Sequence, residues 1–192
     1  MITVWGRRNS VNVQKVMWAV GELEVEYKRH DMAGSFGVTE EYLLLNRKGT
    51  VPTIQDGDLT LWESNACVRY LAKTYGMGSL YPSDPATAAI ADQWMEFQTS
   101  TLTPPFFQIF FNKIRLPAEK SRVDQIEMGI TACAAIFKDL DDHLAGKNYI
   151  TGDDFTMGDI CVGTLLYRYF SMDIERPDIP NVQTWYACLQ GR

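Results

Sequence analysis

Histidine is nearly absent from this 192-residue chain, with two copies, and the four cysteines, Cys67, Cys133, Cys161 and Cys188, lie far apart. No CxxC pair and no Cys/His group at metal-ligand spacing occurs, so the signatures of a zinc module and of a dithiol redox centre are missing, and no metal is expected. Each cysteine falls within a helical pattern, and we read all four as buried, reduced thiols of a cytoplasmic protein. No stretch approaches the roughly 20 apolar residues of a membrane helix. The start, MITVWGRRNS, is a strand running into a polar loop and lacks a charged leader followed by an apolar run, so no signal peptide is expected. Basic residues number 18 against 24 acidic ones, and a net charge of −6 withholds the surface that non-specific binding to nucleic acid or acidic membranes requires. Internal repeats and low-complexity tracts are also missing.

What is present is a globular composition: 46% apolar, 22% charged, with five Trp, nine Tyr and nine Phe. That is enough to bury a sizeable core in one large domain or two small ones. Ile2 to Trp5 reads as a short strand, followed by a Gly6-Arg7-Arg8-Asn9 turn. A helix from about Ser10 carries Val13, Val16, Met17, Val20 and Leu23 at spacings of three and four. Val25 and Tyr27 alternate with Glu26 and Lys28 as a second strand, which implies a parallel crossover. After the loop around Gly34 to Gly37 comes a short helix near Thr39 to Leu45. Two strands joined at Asp56-Gly57 form a hairpin, and a helix opens at Glu63-Ser64 and runs to Tyr75, with Gly76 as its C′ residue.

Residues 1–76 therefore read as a compact α/β domain of order βαβαββα, and 77–87, rich in turn formers, as a linker. Residues 88–192 read as an all-helical domain. In it, Pro104-Pro105 should break or kink the first long helix. A second long helix is expected from Pro117 to Ala145, with a core stripe of Val123, Ile126, Ile130, Cys133, Phe137, Leu140 and Leu144. Thr156 and Asp159 fit a capping box, and Phe155 can staple onto Ile160. Asp159 is thus read as a folding device, not a catalyst.

Two places carry chemistry. In the stretch from Gly49 to Cys67, Val51-Pro52 enters a strand, either as a plain edge proline or as a point where backbone groups stay available to an added extended peptide. Ser64 is either an N-cap or part of a helix N-terminus that receives a carboxylate, with Glu63 beside it to hold an ammonium. Ser10 and Asn12 stand where the first helix begins. Either could simply cap it, or both could donate to an anion, a thiolate in particular. Lowering a thiol pKa from about 8.5 to about 6.5 needs nearly 3 kcal/mol of preferential anion stabilisation. One charge-assisted hydrogen bond of roughly 1.5–3 kcal/mol plus the helix dipole supplies it, with no protein nucleophile.

The motifs SxNxxKV after the first strand, LNxxGxVPTI, LWESNA, YPxDP and FTMGDI, in that order, resemble those of a cytosolic glutathione transferase over essentially the whole chain. The resemblance implies a thioredoxin-like N-terminal domain, a C-terminal helical bundle, glutathione as cosubstrate and transfer of its thiol to a small hydrophobic electrophile in detoxification. It implies a cis Val51-Pro52 bond, with the Val51 backbone on the cysteinyl part of glutathione and Glu63 and Ser64 on its γ-glutamyl end. It also implies a homodimer built on the helices that begin at Ser64 and Ala86. Where tyrosine-type members carry their tyrosine this chain has Trp5, and no cysteine stands near Ser10. The pattern is most similar to the bacterial serine-type, nu-like branch, which implies Ser10 as the primary thiolate donor and Asn12 as a second donor or its replacement.

Two departures from the family pattern stand out. Thr50 occupies the position before Val51-Pro52 where many relatives have a lysine, which leaves Lys48, Arg8 or His30 for the glycine carboxylate. The chain ends after Trp185 to Gln190 where many relatives continue, which would leave the wall of the electrophile site open. Phe106, Phe107 and Phe110 are the candidates for that wall, with Trp94 and Phe97 nearby in sequence. Two other activities fit the same residues: glutathione-dependent disulfide reduction through two glutathiones, and non-catalytic glutathione binding.

Overall fold

The computed structural model describes all 192 residues. The chain divides into two compact units, Met1–Ala88 and Ala89–Arg192. In the first, β1 (Ile2–Trp5), α1 (Val11–Glu22) and β2 (Tyr27–His30) form a parallel crossover, followed by α2 (Glu40–Leu45), the hairpin β3 (Thr53–Asp56) and β4 (Leu59–Trp62), and α3 (Ser64–Tyr75). The sheet order is β2-β1-β3-β4, with β1 parallel to β2 and antiparallel to β3. This is the thioredoxin-like arrangement.

Alternation explains the strands. Ile2 and Val4 are fully buried while Thr3 and Trp5 stay half-exposed, and Ile54 on β3 pairs with Val4 in the same layer. The stripe of α1, Val13, Val16, Ala19 and Val20, packs with Cys67, Val68, Leu71 and Ala72 of α3. The Asp56 carboxylate accepts from Tyr70 Oη at 2.8 Å and Tyr75 Oη at 2.6 Å, fastening the hairpin to α3. Gly76 is not left-handed, with φ −128°. Its role is room, since a Cβ there would lie 2.5 Å from Leu23 Cδ2.

The helix α4 (Pro85–Phe97), which belongs to the second unit from Ala89 onward, is followed by a π-helical turn at 98–102, α5 (Thr103–Phe110) and a further π-helical turn at 111–115. The two prolines do not break the path. They sit in the first turn of α5, where missing N–H groups cost nothing, and the wide turn before them lets Thr103 Oγ1 donate to the Gln98 carbonyl at 2.7 Å. The next helix, α6, spans Val123–Leu144 and begins later than the expected Pro117. Buried Asn112 explains the delay: it donates to the Gln108 carbonyl and accepts from Arg122 N at 2.9 Å, holding the chain extended before the helix starts. The α6 stripe is buried at Cys133, Phe137, Leu140 and Leu144, while Val123 is exposed.

The remaining helices are α7 (Met157–Ser171), buried on nearly every side, and α8 (Pro180–Gln190). The capping box is present, and Asp159, fully buried, accepts from Ile150 N at 2.8 Å, Thr156 N at 2.9 Å and Trp185 Nε1 at 3.0 Å. Asp141 of α6 likewise receives Val182 N at 2.8 Å, at the start of α8. No helix is long and apolar enough to cross a membrane.

Candidate active site

Ser10 occupies the N-cap position of α1 in an extended conformation, but its hydroxyl makes no capping bond. Its carbonyl does the helical work, accepting from Gln14 N at 2.9 Å. The simple capping role is therefore set aside, and a mostly buried hydroxyl stands beside the first-turn N–H groups of α1, which have no intrahelical acceptors.

Asn12, exposed in that first turn, does not face its own helix either. Its Oδ1 accepts from Ser64 Oγ at 3.3 Å, across 52 residues of chain. Ser64 is the first residue of α3. The same Ser64 Oγ accepts from Lys15 Nζ at 3.4 Å, and Lys15 also donates to Asn65 Oδ1 at 3.0 Å. Lys15 is 2% exposed. The N-termini of α1 and α3 are thus joined by a relay of Asn12, Ser64, Lys15 and Asn65. Glu63, the residue before α3, has an exposed side chain that caps nothing and a backbone at φ 71°, ψ 115°. A non-glycine residue there is held at a cost of about 1–3 kcal/mol by its surroundings, a kind of outlier that clusters at ligand clamps.

The third segment is the turn before β3. The Val51–Pro52 peptide is cis. Buried Tyr42 donates its hydroxyl to the Thr50 carbonyl and shares a 2.8 Å bond with Thr53 Oγ1. Asn46, 1% exposed, donates to the same carbonyl at 3.0 Å and receives Lys48 N at 3.0 Å. Pro52 is buried, Val51 half-buried, and the side chains of Lys48 and Thr50 are exposed. Gly6 brings this turn to α1: a Cβ at Gly6 would fall 2.3 Å from Val13 Cγ2 and 3.2 Å from Val51 Cβ. Of the other cations considered, Arg8 is exposed and His30 stacks on Trp5 with centroids 4.4 Å apart.

The buried protein thiols are poor nucleophiles here. Burial pushes Cys67 and Cys133 up to about 12 and Cys161 is buried, but Cys188, expected to be buried with them, is exposed, because α8 turns Val182, Trp185 and Leu189 inward instead. Trp5 on β1 donates its indole N–H to Gln55 Oε1 at 2.9 Å.

The family model described as Glutathione S-transferase, N-terminal domain matches residues 1–73, and the model of the C-terminal domain matches residues 123–188. The chain belongs to the glutathione S-transferase family. It is 38% identical to glutathione S-transferase GstB of Escherichia coli, an alignment covering all of this chain and 94% of the relative. A theta class glutathione S-transferase of Xanthomonas axonopodis pv. citri, solved with glutathione bound, superposes at TM-score 0.95 with 44% identity, covering 100% of this chain and 93% of that one. A glutathione transferase of Burkholderia graminis, solved with two glutathione molecules per subunit, superposes at TM-score 0.89 with 25% identity, covering 100% and 84%.

For a glutathione S-transferase, the sequence motifs at Ser10, Asn12, Val51, Pro52, Glu63 and Ser64 therefore sit on three adjoining segments of one unit. The three phenylalanines of the helical unit are not equivalent. Phe106 is 3% exposed and belongs to the core, Phe107 is 51% exposed and stacks on Phe111, and Phe110 lies half-buried, stacked on Phe106 with the Arg168 guanidinium 4.8 Å from its ring. Lys15 and the Tyr42-Asn46 pair were missed as site-builders. Their signal was visible only as letters of SxNxxKV and LNxxGxVPTI, because their partners become neighbours through the fold.

Proposed function

We propose that this chain is a glutathione transferase in which Ser10, with Asn12 second, stabilises the glutathione thiolate for attack on a small apolar electrophile. The carrying observation is the Ser10 hydroxyl, placed at a helix N-terminus and not spent on capping it. The γ-glutamyl end is assigned to Glu63 and Ser64 and the cysteinyl backbone to Val51. Lys48 or Thr50 meets the glycine carboxylate. Thiolate formation then needs only hydrogen bonding and the α1 dipole. Phe107 and Phe110 offer the aromatic face to the electrophile, with Phe106 beneath them as support. Detoxification in the cytoplasm and a homodimer using α3 and α4 complete the reading, supported by the exposed apolar residues Tyr75 and Ile90 on those helices.

The test is the thiol pKa of bound glutathione, followed by thiolate absorbance, in the Ser10→Ala, Asn12→Ala double variant. The expected result is a rise toward the free value with a fall in kcat of about 10–100-fold. An unchanged pKa and turnover would sink the assignment.

A second reading is favoured by the two glutathiones per subunit in the Burkholderia graminis relative. One glutathione thiolate attacks a disulfide, expelling one thiolate and forming a mixed disulfide. A second attacks the glutathione sulfur, releasing the other thiolate and oxidised glutathione, with two protons returned to the leaving thiolates. Turnover of a model disulfide against a chlorinated aromatic separates the two activities.

A further inference from the structure

The deepest buried charge near the proposed glutathione site is Lys15, and nothing in the thiol chemistry calls for it. Its Nζ lies 3.4 Å from Ser64 Oγ and 3.0 Å from Asn65 Oδ1, the first two residues of α3. Taking an ammonium out of water is costly, and an apolar side chain of similar volume would join α1 to α3 at less expense. A fully buried lysine at this contact therefore points to a use for its charge or its hydrogen-bonding character. Both are informative. An ammonium has three donors and no acceptor, so Ser64 can only accept from it. The Ser64 proton is thereby directed away from Lys15, toward Asn12 Oδ1 in the present structure. The same constraint would keep that proton available to an incoming anion, and the polarised hydroxyl becomes a stronger donor. The N–H groups of the first turn of α3 point the same way, since the first helical bond there runs from Cys67 N to the Glu63 carbonyl.

We infer that Lys15 is a positioning residue for the γ-glutamyl α-carboxylate of glutathione: from beneath the N-terminus of α3 it fixes the direction of the Ser64 hydroxyl and adds positive charge behind the N–H groups that receive that carboxylate. The inference rests on the placement of the γ-glutamyl end at Ser64 proposed above.

The experiment compares binding of glutathione with that of γ-aminobutyryl-Cys-Gly, the same tripeptide without the α-carboxylate, by calorimetry on the full chain. The wild type should prefer glutathione by about tenfold or more, the size of a charge-assisted contact. Lys15→Met should cut that preference to about threefold or less while kcat at saturating glutathione stays within about twofold, and Lys15→Arg should keep most of the preference. A merely structural lysine would shift the melting temperature and leave the ratio of the two affinities alone. A folded Lys15→Met variant with the full wild-type preference overturns the inference. If Lys15→Met does not fold, Lys15→Gln, which removes the charge and offers Ser64 an acceptor as well as a donor, takes its place with the same expected loss. Failure of the underlying placement looks different: the wild type and Ser64→Ala would then both bind the two peptides equally, which overturns the placement and the inference together.

Discussion

The hydroxyl of Ser64 donates to the carboxamide oxygen of Asn12 at 3.3 Å, so the first turn of α3 is tied directly to the first turn of α1, beside the bonds that Lys15 makes to Ser64 and Asn65. The two ends of the proposed ligand site are thus one hydrogen bond apart before any ligand arrives. Substitution at one end should be felt at the other.

Ser64→Ala removes a ligand contact and the bond to Asn12 while leaving Ser10, the primary thiol donor, in place. The apparent KM for glutathione should rise about tenfold while kcat falls by no more than about threefold. A fall in kcat with unchanged KM would place Ser64 in the thiol chemistry. In a double-mutant cycle with Asn12→Ala, measured on glutathione affinity, the coupling should be about 0.5–1.5 kcal/mol.

Asp159 should make the stability of the helical unit depend on pH. Burial pushes its carboxyl up to about 6 from an ordinary 3.8, against the pull of the donors around it. The fold therefore favours the protonated form relative to the unfolded chain. Its contribution is fully present below pH 4 and is lost as the pH rises through 6, by about 3 kcal/mol in all. Asp159→Ala should be less stable by about 2 kcal/mol or more at pH 7, because Ile150 N, Thr156 N and Trp185 Nε1 lose their acceptor. Urea titrations of both proteins from pH 4 to 7 should show the gap between them narrowing as the pH rises.

Thiol labelling of the native protein should stop at one group per chain. Cys188 is exposed, whereas Cys67, Cys133 and Cys161 are buried. Cys188→Ser should therefore abolish rapid reaction with a chromogenic disulfide, and the remaining thiols should appear only in denaturant. Rapid labelling of a second thiol would contradict the burial described.

Gly6→Ala should injure both fold and ligand binding. The added methyl meets Val13 at 2.3 Å and Val51 at 3.2 Å, on a backbone at φ +153° that side chains seldom adopt. A loss of about 2–3 kcal/mol in stability is expected, with a higher KM for glutathione because Val51 is displaced. Pairing it with Val13→Ala should recover part of the stability, as read by thermal unfolding.

Local patterns carried much of this architecture. Alternation in Ile2 to Trp5, the Asp56-Gly57 turn and the spacing of Thr156 and Asp159 each involve residues within a few positions, and all are found where local chemistry puts them. What escaped depends on distance along the chain. Lys15 looks like a solvated helix lysine until residues 49 and 50 positions away close over it. Asn112 delays α6 by holding Arg122, a contact that periodicity cannot register. Pro104 and Pro105 read as breakers because a π-helical turn leaves no compositional mark. The aromatic run after them was uniform in sequence, yet helical rotation sends Phe106 inward and Phe107 outward.

The two buried carboxylates of the helical unit also set an order of assembly. Asp141 waits for the Val182 amide, and Asp159 for the Trp185 indole, both supplied by α8. A chain synthesised only as far as Pro180 lacks the Val182 amide for Asp141 and the Trp185 indole for Asp159, which then has only Ile150 and Thr156 as donors. Without α8, a buried carboxylate on each of two other helices is left short of a donor, so truncation before Pro180 costs the helical unit more than the apolar surface that α8 covers.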